Sequence, residues 1–199
     1  MKTRLLTASI AFVLCACSAG AQKPPNQKAP ETFRVNFDTS RGPVVIEVTR
    51  ALAPNGADRF YNMVKAKYLD GARFFRVVPN FMAQFGLAAD PAVTKTWDVP
   101  IQDDPVKTSN ERGAVTFAQT SAPNSRSTQL FINFGNNAFL DNQRFAPFGK
   151  VVSGMENVDQ IYAGDRENPD QGRIQGEGNA YLNKEFPRLD YIKTARIVE

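Results

Sequence analysis

A dense apolar run at residues 74–86, which reads F-F-R-V-V-P-N-F-M-A-Q-F-G, constrains the fold of this chain more than any other stretch. Aromatic and β-branched side chains at 74–78 favour a strand, because they fit a pleated, half-buried surface. The dipeptide Pro79-Asn80 then interrupts the ladder, since proline has no N–H to donate and asparagine tolerates turn geometry. A second short strand is predicted at 81–84, so the run indicates a buried β-hairpin.

Two polar residues, Arg76 and Gln84, are embedded in this hairpin. Strand alternation puts Met82 and Gln84 on one face of the second strand. Phe81 and Ala83 are then predicted on the opposite face. In one interpretation the hairpin is plain core and its polar side chains only reach solvent, because apolar strands mostly belong to cores. In the other, the guanidinium and the carboxamide belong to a functional surface.

Short alternating elements recur along most of the remaining chain. Strands are predicted at 32–38, 43–48, 114–119, 129–134 and 190–198, and helices at 54–67 and 154–161. Polar or glycine-rich segments at 87–108 and 164–178 are interpreted mostly as loops. This pattern favours a single mainly β domain, either a sandwich or a barrel.

The composition excludes several kinds of chemistry. The chain has no histidine, which removes the Ser-His-Asp arrangement, imidazole acid–base catalysis and the commonest metal ligand. Its two cysteines lie within the first 17 residues, so the body of the chain offers no thiolate site. The 24 Lys and Arg residues are nearly balanced by 20 Asp and Glu, without a dense basic cluster. We therefore expect no metal and no nucleic-acid partner.

The 74–86 run resembles the cyclophilin signature F-H-R-V-I-P-G-F-M-x-Q-G-G. The positions that match in register are Phe74, Arg76, Val77, Pro79, Phe81, Met82, Gln84 and Gly86. Residues 113–132 resemble the second family signature, and 139–141 and 148–151 resemble two shorter segments. The resemblance covers about residues 32–198. It implies a closed eight-stranded antiparallel β-barrel capped by two α-helices, with residues 32–199 as one isomerase domain.

The resemblance also implies peptidyl-prolyl cis–trans isomerase activity on proline-containing polypeptides. No bond breaks when an X–Pro peptide rotates, so neither metal nor cofactor is required. Arg76 is expected to be catalytic, because a fixed guanidinium donor aimed at the prolyl nitrogen weakens amide resonance. Gln84 is expected to assist by binding the substrate backbone. The remaining substrate-binding positions are Phe81, Met82, Ala118, Gln119, Gln129, Phe131, Phe139, Leu140 and Phe145.

The chain departs from the family pattern at several positions. Phe75 replaces a usual His, Phe139 replaces a frequent Trp, Phe145 or Arg144 lies near a second usual His, and Phe85 and Leu87 replace Gly and Asp. These departures bear on turnover and on cyclosporin binding. They support an alternative from another class: a peptide-binding chaperone module that uses the same groove with little or no turnover. For either function we expect a monomer.

The first 31 residues have the layout of an export leader followed by a tether. Lys2 and Arg4 precede a ten-residue apolar run, which is typical of a signal peptide spanning 1–16. Leu14-Cys15-Ala16-Cys17 resembles the bacterial lipobox, which implies lipidation of Cys17 and a lipid-bilayer anchor at the periplasmic side of the outer membrane. Cleavage after Ala21 is the alternative and would release a soluble periplasmic protein. Proline-rich residues in 17–31 predict a flexible tether.

Overall fold

The computed structural model describes residues 24–198. Its elements, in chain order, are β1 (Thr32–Thr39), β2 (Gly42–Thr49), α1 (Pro54–Lys65), β3 (Arg76–Val78), β4 (Met82–Phe85), α2 (Pro91–Trp97), β5 (Ala114–Phe117), β6 (Leu130–Asn133), a 3₁₀ helix (Ala138–Gln143), β7 (Pro147–Ser153), α3 (Met155–Asp159), α4 (Gln171–Glu177), α5 (Asn179–Glu185) and β8 (Ile192–Val198). All strand pairs in the sheet are antiparallel.

The opening hairpin and the first helix form as the sequence predicts. β1 and β2 pair along their whole length, from Thr32 opposite Thr49 to Thr39 opposite Gly42. α1 packs its apolar side on this sheet, and its Phe60 ring lies 6.1 Å from the ring of Phe37. Both rings are fully buried, so the alternation and the helical stripe seen in the sequence do mark the core faces.

The predicted closed barrel is wrong. The strands form one curled, open sheet in the order β3-β4-β6-β5-β7-β2-β1-β8, a half-barrel whose end strands β3 and β8 are not paired as a ladder in residues 24–198. β3 has only three residues, and its Val77 N–H donates to the carbonyl of Arg166 in a loop. A bridge between Arg73 and Tyr191 spans the gap, together with backbone hydrogen bonds between residues 71–74 and residues 190–192. The loop and this bridge occupy the edge where a closing strand pair was expected.

The predicted number of helices is also wrong, because the described chain contains five α-helices rather than two. α1 and α3 were predicted, whereas α2 lies inside the segment interpreted as the 87–108 loop, α4 lies inside the segment interpreted as the 164–178 loop, and α5 follows that segment. α2 and α4 are each capped by an aspartate, Asp90 and Asp170, whose side chain accepts a backbone N–H of the first turn. Both helices lie in polar segments without a sustained run of apolar residues at helical spacing, so the sequence pattern did not predict them.

A second apolar cluster fixes α4 and α5 to the sheet. It comprises Phe75, Leu87, Ile174, Tyr181, Leu182 and Leu189. Phe75 and Leu87, two of the departures from the cyclophilin signature, are almost completely buried in it. Their apolar side chains are therefore explained by packing, since a His or an Asp at these positions would be buried under the two extra helices without a partner.

Part of the predicted tether is attached to the domain. Gln27 and Asn62 exchange hydrogen bonds of 3.1 Å and 2.8 Å, and the Ala29 N–H donates to Asp58 at 2.8 Å. Ala29 is buried, so the chain from Gln27 onward belongs to the folded body and the predicted 17–31 tether is too long. Cys17 and the predicted leader lie outside the described residues. Within the described part, no helix has the length and apolarity needed to cross a membrane.

Candidate active site

The β3–β4 hairpin brings Arg76 and Gln84 together. They are directly opposed in the ladder, and Arg76 Nη1 donates to Gln84 Oε1 over 3.2 Å. Gln84 Nε2 in turn donates to Oε1 of Gln129 over 2.7 Å, which ties the hairpin to the chain entering β6. Gln84 is nearly buried, whereas the Arg76 side chain is 30% exposed. The hairpin therefore presents a partly exposed guanidinium whose Nη1 is fixed by Gln84.

An apolar slot lies beside this guanidinium. Its floor is a small cluster separate from the main core, formed by Met82, Phe131 and Leu140. The Phe131 ring meets the Phe145 ring edge to face at 5.8 Å. Phe81 also packs against this cluster. The predicted separation of Phe81 from Met82 onto opposite faces is therefore wrong, because Phe81 precedes β4 and its position is set by the turn rather than by strand alternation.

The slot and the polar residues enclose a cavity of about 330 Å³. Every predicted catalytic or substrate-binding residue lines it except Phe139, namely Arg76, Phe81, Met82, Gln84, Ala118, Gln119, Gln129, Phe131, Leu140 and Phe145. Phe139 lies at the rim, 55% exposed, with its ring stacked on Phe81 at 5.9 Å. The fold therefore brings the predicted site residues, which lie between residues 76 and 145, to one cavity, with Phe139 at its rim.

Several residues at this site were not predicted. Thr120, Ser125, Ser127 and Gln171 also line the cavity. Glu167, in the loop before α4, accepts a hydrogen bond of 2.7 Å from Arg76 Nε. The small, polar composition of 120–128 was the available signal for the first three. No local signal pointed to Gln171 or Glu167, because they reach the site from a polar segment about 90 residues further along the chain.

A buried polar network supports the wall of the slot that follows β6. Asn110, wholly buried, donates to the carboxylate of Asp141 at 2.8 Å and to the Phe145 carbonyl at 2.8 Å. Ser109 donates to the same carboxylate at 2.6 Å. Burial opposes the charged form of Asp141, but the hydrogen bonds from Ser109 and Asn110 outweigh it and lower the pKa of this carboxyl below its usual value. The network fixes the 3₁₀ helix that carries Leu140.

Arg126 supports the opposite wall from beneath. Its guanidinium is buried and donates through Nε to Oε1 of Gln119 at 3.2 Å, and it also donates to the Arg144 carbonyl. Burial lowers the pKa of Arg126, and the nearby carboxylates of Asp103 and Asp104 oppose that shift. Arg126 thus holds Gln119 at the cavity wall, although Arg126 does not line the cavity.

In the described part of the chain, no group of three or more Asp, Glu, His or Cys side chains is placed to hold a metal ion. The charged residue on the cavity wall is Arg76, a hydrogen-bond donor rather than a ligand. The arrangement suits non-covalent stabilisation of a neutral, twisted amide.

The family model for cyclophilin-type peptidyl-prolyl cis-trans isomerases matches residues 34–177, which is most of the chain. The chain belongs to the cyclophilin family. Three curated bacterial relatives agree with this assignment. A peptidyl-prolyl cis-trans isomerase of Acinetobacter baylyi is 38% identical over 132 residues, 64% of this chain and 70% of its own length. Peptidyl-prolyl cis-trans isomerase A of Dickeya dadantii is 35% identical over 149 residues, covering 72% and 78% of the two chains.

The third relative, a probable peptidyl-prolyl cis-trans isomerase of Brucella abortus, is 35% identical over 185 residues, 84% of this chain and 92% of its own length.

Solved cyclophilins share the fold. One from Cryptosporidium parvum superposes with a TM-score of 0.65 at 18% identity, over 84% of this chain and 98% of its own. The cyclophilin AquaCyp293 from Hirschia baltica gives 0.63 at 20% identity, over 85% and 75%. The prediction of a cyclophilin-type peptidyl-prolyl cis–trans isomerase is confirmed.

Proposed function

We propose that this cyclophilin accelerates X–Pro rotation with Arg76 as its catalytic donor and the Phe131 slot as its proline-binding site. The observation that carries the proposal is the position of the guanidinium, whose Nη1 is fixed by Gln84 at the wall of the cavity that contains the apolar slot. A proline ring seated on Met82, Phe131 and Leu140 would bring its nitrogen toward that wall. The rest of the peptide would remain free to turn in the open part of the cavity.

The chemistry follows from amide resonance. Rotation about a peptide bond costs ~18–20 kcal/mol because the nitrogen lone pair is shared with the carbonyl. In the twisted state that lone pair is localised on nitrogen and can accept a hydrogen bond, which it cannot do in either planar form. A donor held at this position therefore stabilises the transition state more than the ground states, the condition for catalysis. Arg76 Nη1 has a second hydrogen besides the one that Gln84 accepts. Its contact there is a weak acceptor, Met82 Sδ at 4.0 Å, which the prolyl nitrogen would replace.

The remaining polar residues have a binding role in this proposal. Gln84, Gln129 and Gln119 offer carboxamides along the cavity, and Ala118 contributes to the wall between them. Such groups can hold the backbone of an extended, proline-containing segment on either side of the ring. Phe139 is assigned to the rim, where its exposed ring can cover the end of the slot.

An isomerisation assay on short proline peptides tests the proposal. Catalysed cis–trans exchange by the wild-type protein, competed by excess of a second proline peptide and not by the same peptide with alanine in place of proline, is the expected result. Absence of catalysed exchange at saturating protein would contradict it.

The alternative is a peptide-binding chaperone module with little turnover. It is favoured by one observation, the exposed Phe139 ring stacked on Phe81, which extends the apolar surface beyond a single proline pocket. This function predicts suppressed aggregation of an unfolded client that persists when catalysis is abolished. If the Arg76→Ala protein loses turnover and still suppresses aggregation as well as wild type, both activities are present and separable.

We further propose that the protein acts in the bacterial envelope, on proline-containing segments of envelope proteins, as a monomer anchored through acylated Cys17. The support is the leader sequence, with its charged start, apolar run and lipobox-like Leu14-Cys15-Ala16-Cys17. Attachment of Gln27 to α1 would leave residues 18–26 as the spacer between the bilayer and the domain. A Cys17→Ser protein should leave the membrane fraction, and unaltered membrane fractionation would argue against the anchor. A wild-type protein that is already soluble would favour release after Ala21.

A further inference from the structure

The 163–170 loop adds an acidic residue to the isomerase site. We propose that Glu167 is a substrate-specificity residue, which holds Arg76 by one carboxylate oxygen and uses the other to favour basic residues beside the substrate proline. This inference rests on the isomerase function proposed above. Glu167 lies outside both signature segments, and it contacts the edge of the Arg76 guanidinium that faces away from the slot.

The contact between Glu167 and Arg76 uses one edge of the guanidinium. Arg76 Nε and Nη2 both approach Glu167 Oε1, with Nε at 2.7 Å. Nη1 on the other edge is left to Gln84 and the cavity. Because a guanidinium is planar and its donors are in fixed directions, gripping the Nε edge determines where Nη1 points. Glu167 thus orients the proposed catalytic donor without entering the slot.

The second carboxylate oxygen is free to meet a substrate. Within residues 24–198, Glu167 Oε2 makes no hydrogen bond, and the side chain is 59% exposed. Glu167 has Arg76 as its ion-pair partner in that part of the chain and stands outside the cavity lining, so its second oxygen is available beside the slot rather than within it. A lysine or arginine next to the bound proline gains an attraction here, whereas an aspartate or glutamate meets a like charge.

Hydrogen bonds at both ends of the 163–170 loop fix the position of the Glu167 carboxylate. The Arg166 carbonyl accepts the Val77 N–H at 3.1 Å, one residue along the strand from Arg76. At the other end, the Asp170 N–H donates to the Tyr181 hydroxyl, and Asp170 caps α4. Phe75, adjacent to Arg76, is buried under α4 and α5 in the second apolar cluster. The same helices bring Gln171 to the cavity wall.

The test compares peptides that are identical except for Lys, Ala or Glu at the residue before the proline, with a second trio varied after it. The measured quantity is the ratio of kcat/KM for the Lys and Glu peptides at low salt. Wild type should give a ratio above one. Glu167→Gln, which keeps an oxygen for Arg76 and removes the charge, should lower the ratio about two- to fivefold, the scale of an exposed ion pair. Glu167→Lys should invert it.

The difference should lie in KM rather than kcat, because a charge remote from the rotating bond binds the ground and transition states alike. It should also shrink as salt rises to about 1 M. Glu156→Gln is the matched control, since it removes one exposed carboxylate on α3, away from the cavity, and should leave the ratio at the wild-type value.

An unchanged Lys-to-Glu ratio in Glu167→Gln and Glu167→Lys would overturn the proposal. An equal loss on all peptides would also overturn it, since Glu167 would then only orient Arg76. Dissociation constants for the same peptides are measured in parallel. If wild type showed no turnover, the isomerase assignment of the site would fail, while the ratio of dissociation constants would still decide the role of Glu167.

Discussion

Gln84 lies directly across the β3–β4 ladder from Arg76 and accepts a 3.2 Å hydrogen bond from its Nη1. The Nη1 edge of the guanidinium is therefore positioned by strand register, while its Nε edge is held by Glu167 of the 163–170 loop. A slip of one residue would turn Gln84 to the core face and Ala83 to the cavity. Gln84 also donates to Gln129 at 2.7 Å, so the hairpin and the β6 side of the groove are held as one unit.

Replacing Gln84 with alanine should reduce kcat/KM by about fivefold, because Arg76 Nη1 loses the acceptor that orients it and the loss of one hydrogen bond is worth about 1 kcal/mol. Proline-peptide isomerisation kinetics measure this effect. Gln129→Ala is the comparison, and it should cost less because it leaves the bond from Arg76 to Gln84 in place. Full activity of the Gln84→Ala protein would contradict the positioning role.

Replacing Phe131 with leucine should raise KM about fivefold, because part of the apolar floor under the proline ring is lost. Phe117→Leu is the matched control, since Phe117 is equally buried in the neighbouring strand β5 but faces the main core. Both changes should lower the free energy of unfolding by about 1 kcal/mol. Equal KM values for the two variants would mean that Phe131 is ordinary core.

Gly86→Ala should be strongly destabilising, by about 2 kcal/mol or more, since Gly86 adopts a φ of +101°. A Cβ there would also overlap the Thr128 carbonyl oxygen at the start of the chain into β6. Gly176 in α4 is the opposite case, with open space around its Cβ position. Gly176→Ala should therefore stabilise the protein by about 0.5–1 kcal/mol. Urea denaturation measures both, and a tolerated Gly86→Ala change would show that this turn is not constrained.

The elements that local sequence determines were predictable, and those that depend on distant partners were not. The 32–48 hairpin, α1 and the Arg76–Gln84 hairpin follow from alternation, helical spacing and the Pro79-Asn80 turn. α4 reads Q-G-R-I-Q-G-E, with two glycines and one buried apolar residue, Ile174, so it carries no helical period. It forms because Asp170 caps it and the second apolar cluster buries Ile174.

The open sheet and the Glu167 contact have the same cause. The edge of β3 is occupied by the Arg166 carbonyl, and Arg76 is paired with Glu167, 91 residues away in the chain. Arg166 and Glu167 belong to no local sequence pattern that would connect them with the β3–β4 hairpin. The slot residues that the family resemblance named do line one cavity, but the resemblance also implied a closed barrel, which the three-residue β3 does not complete.

Acid should destabilise the protein partly through Asp141. Its folded-state pKa lies below the ordinary value of 3.8, so the unfolded chain takes up the proton first as pH falls. The contribution is fully present above about pH 5 and is lost as pH falls through 4 toward the depressed folded value. Asp141→Asn should therefore be less stable than wild type at pH 7, and the gap should close at low pH.

Urea midpoints measured between about pH 2 and pH 7 test this expectation. The midpoint of the variant should still fall in acid, because Asp58 and Asp70 also have lowered pKa values: burial opposes each shift, and hydrogen bonds from Arg50 and Arg196 outweigh it. Parallel curves for Asp141→Asn and wild type would show that the Ser109–Asn110 contacts carry no charge-dependent stability.

The most direct test of the central claim is kcat/KM for a proline peptide with wild type, Arg76→Lys and Arg76→Ala. Removing a preorganised donor typically raises a barrier by about 3 kcal/mol, so Arg76→Ala should lose roughly two orders of magnitude in rate. Arg76→Lys should recover only part of it, because an ammonium lacks the planar fork that Gln84 and Glu167 hold. Unfolding midpoints check that all three proteins are folded. A folded Arg76→Ala protein with the wild-type kcat/KM would contradict the account.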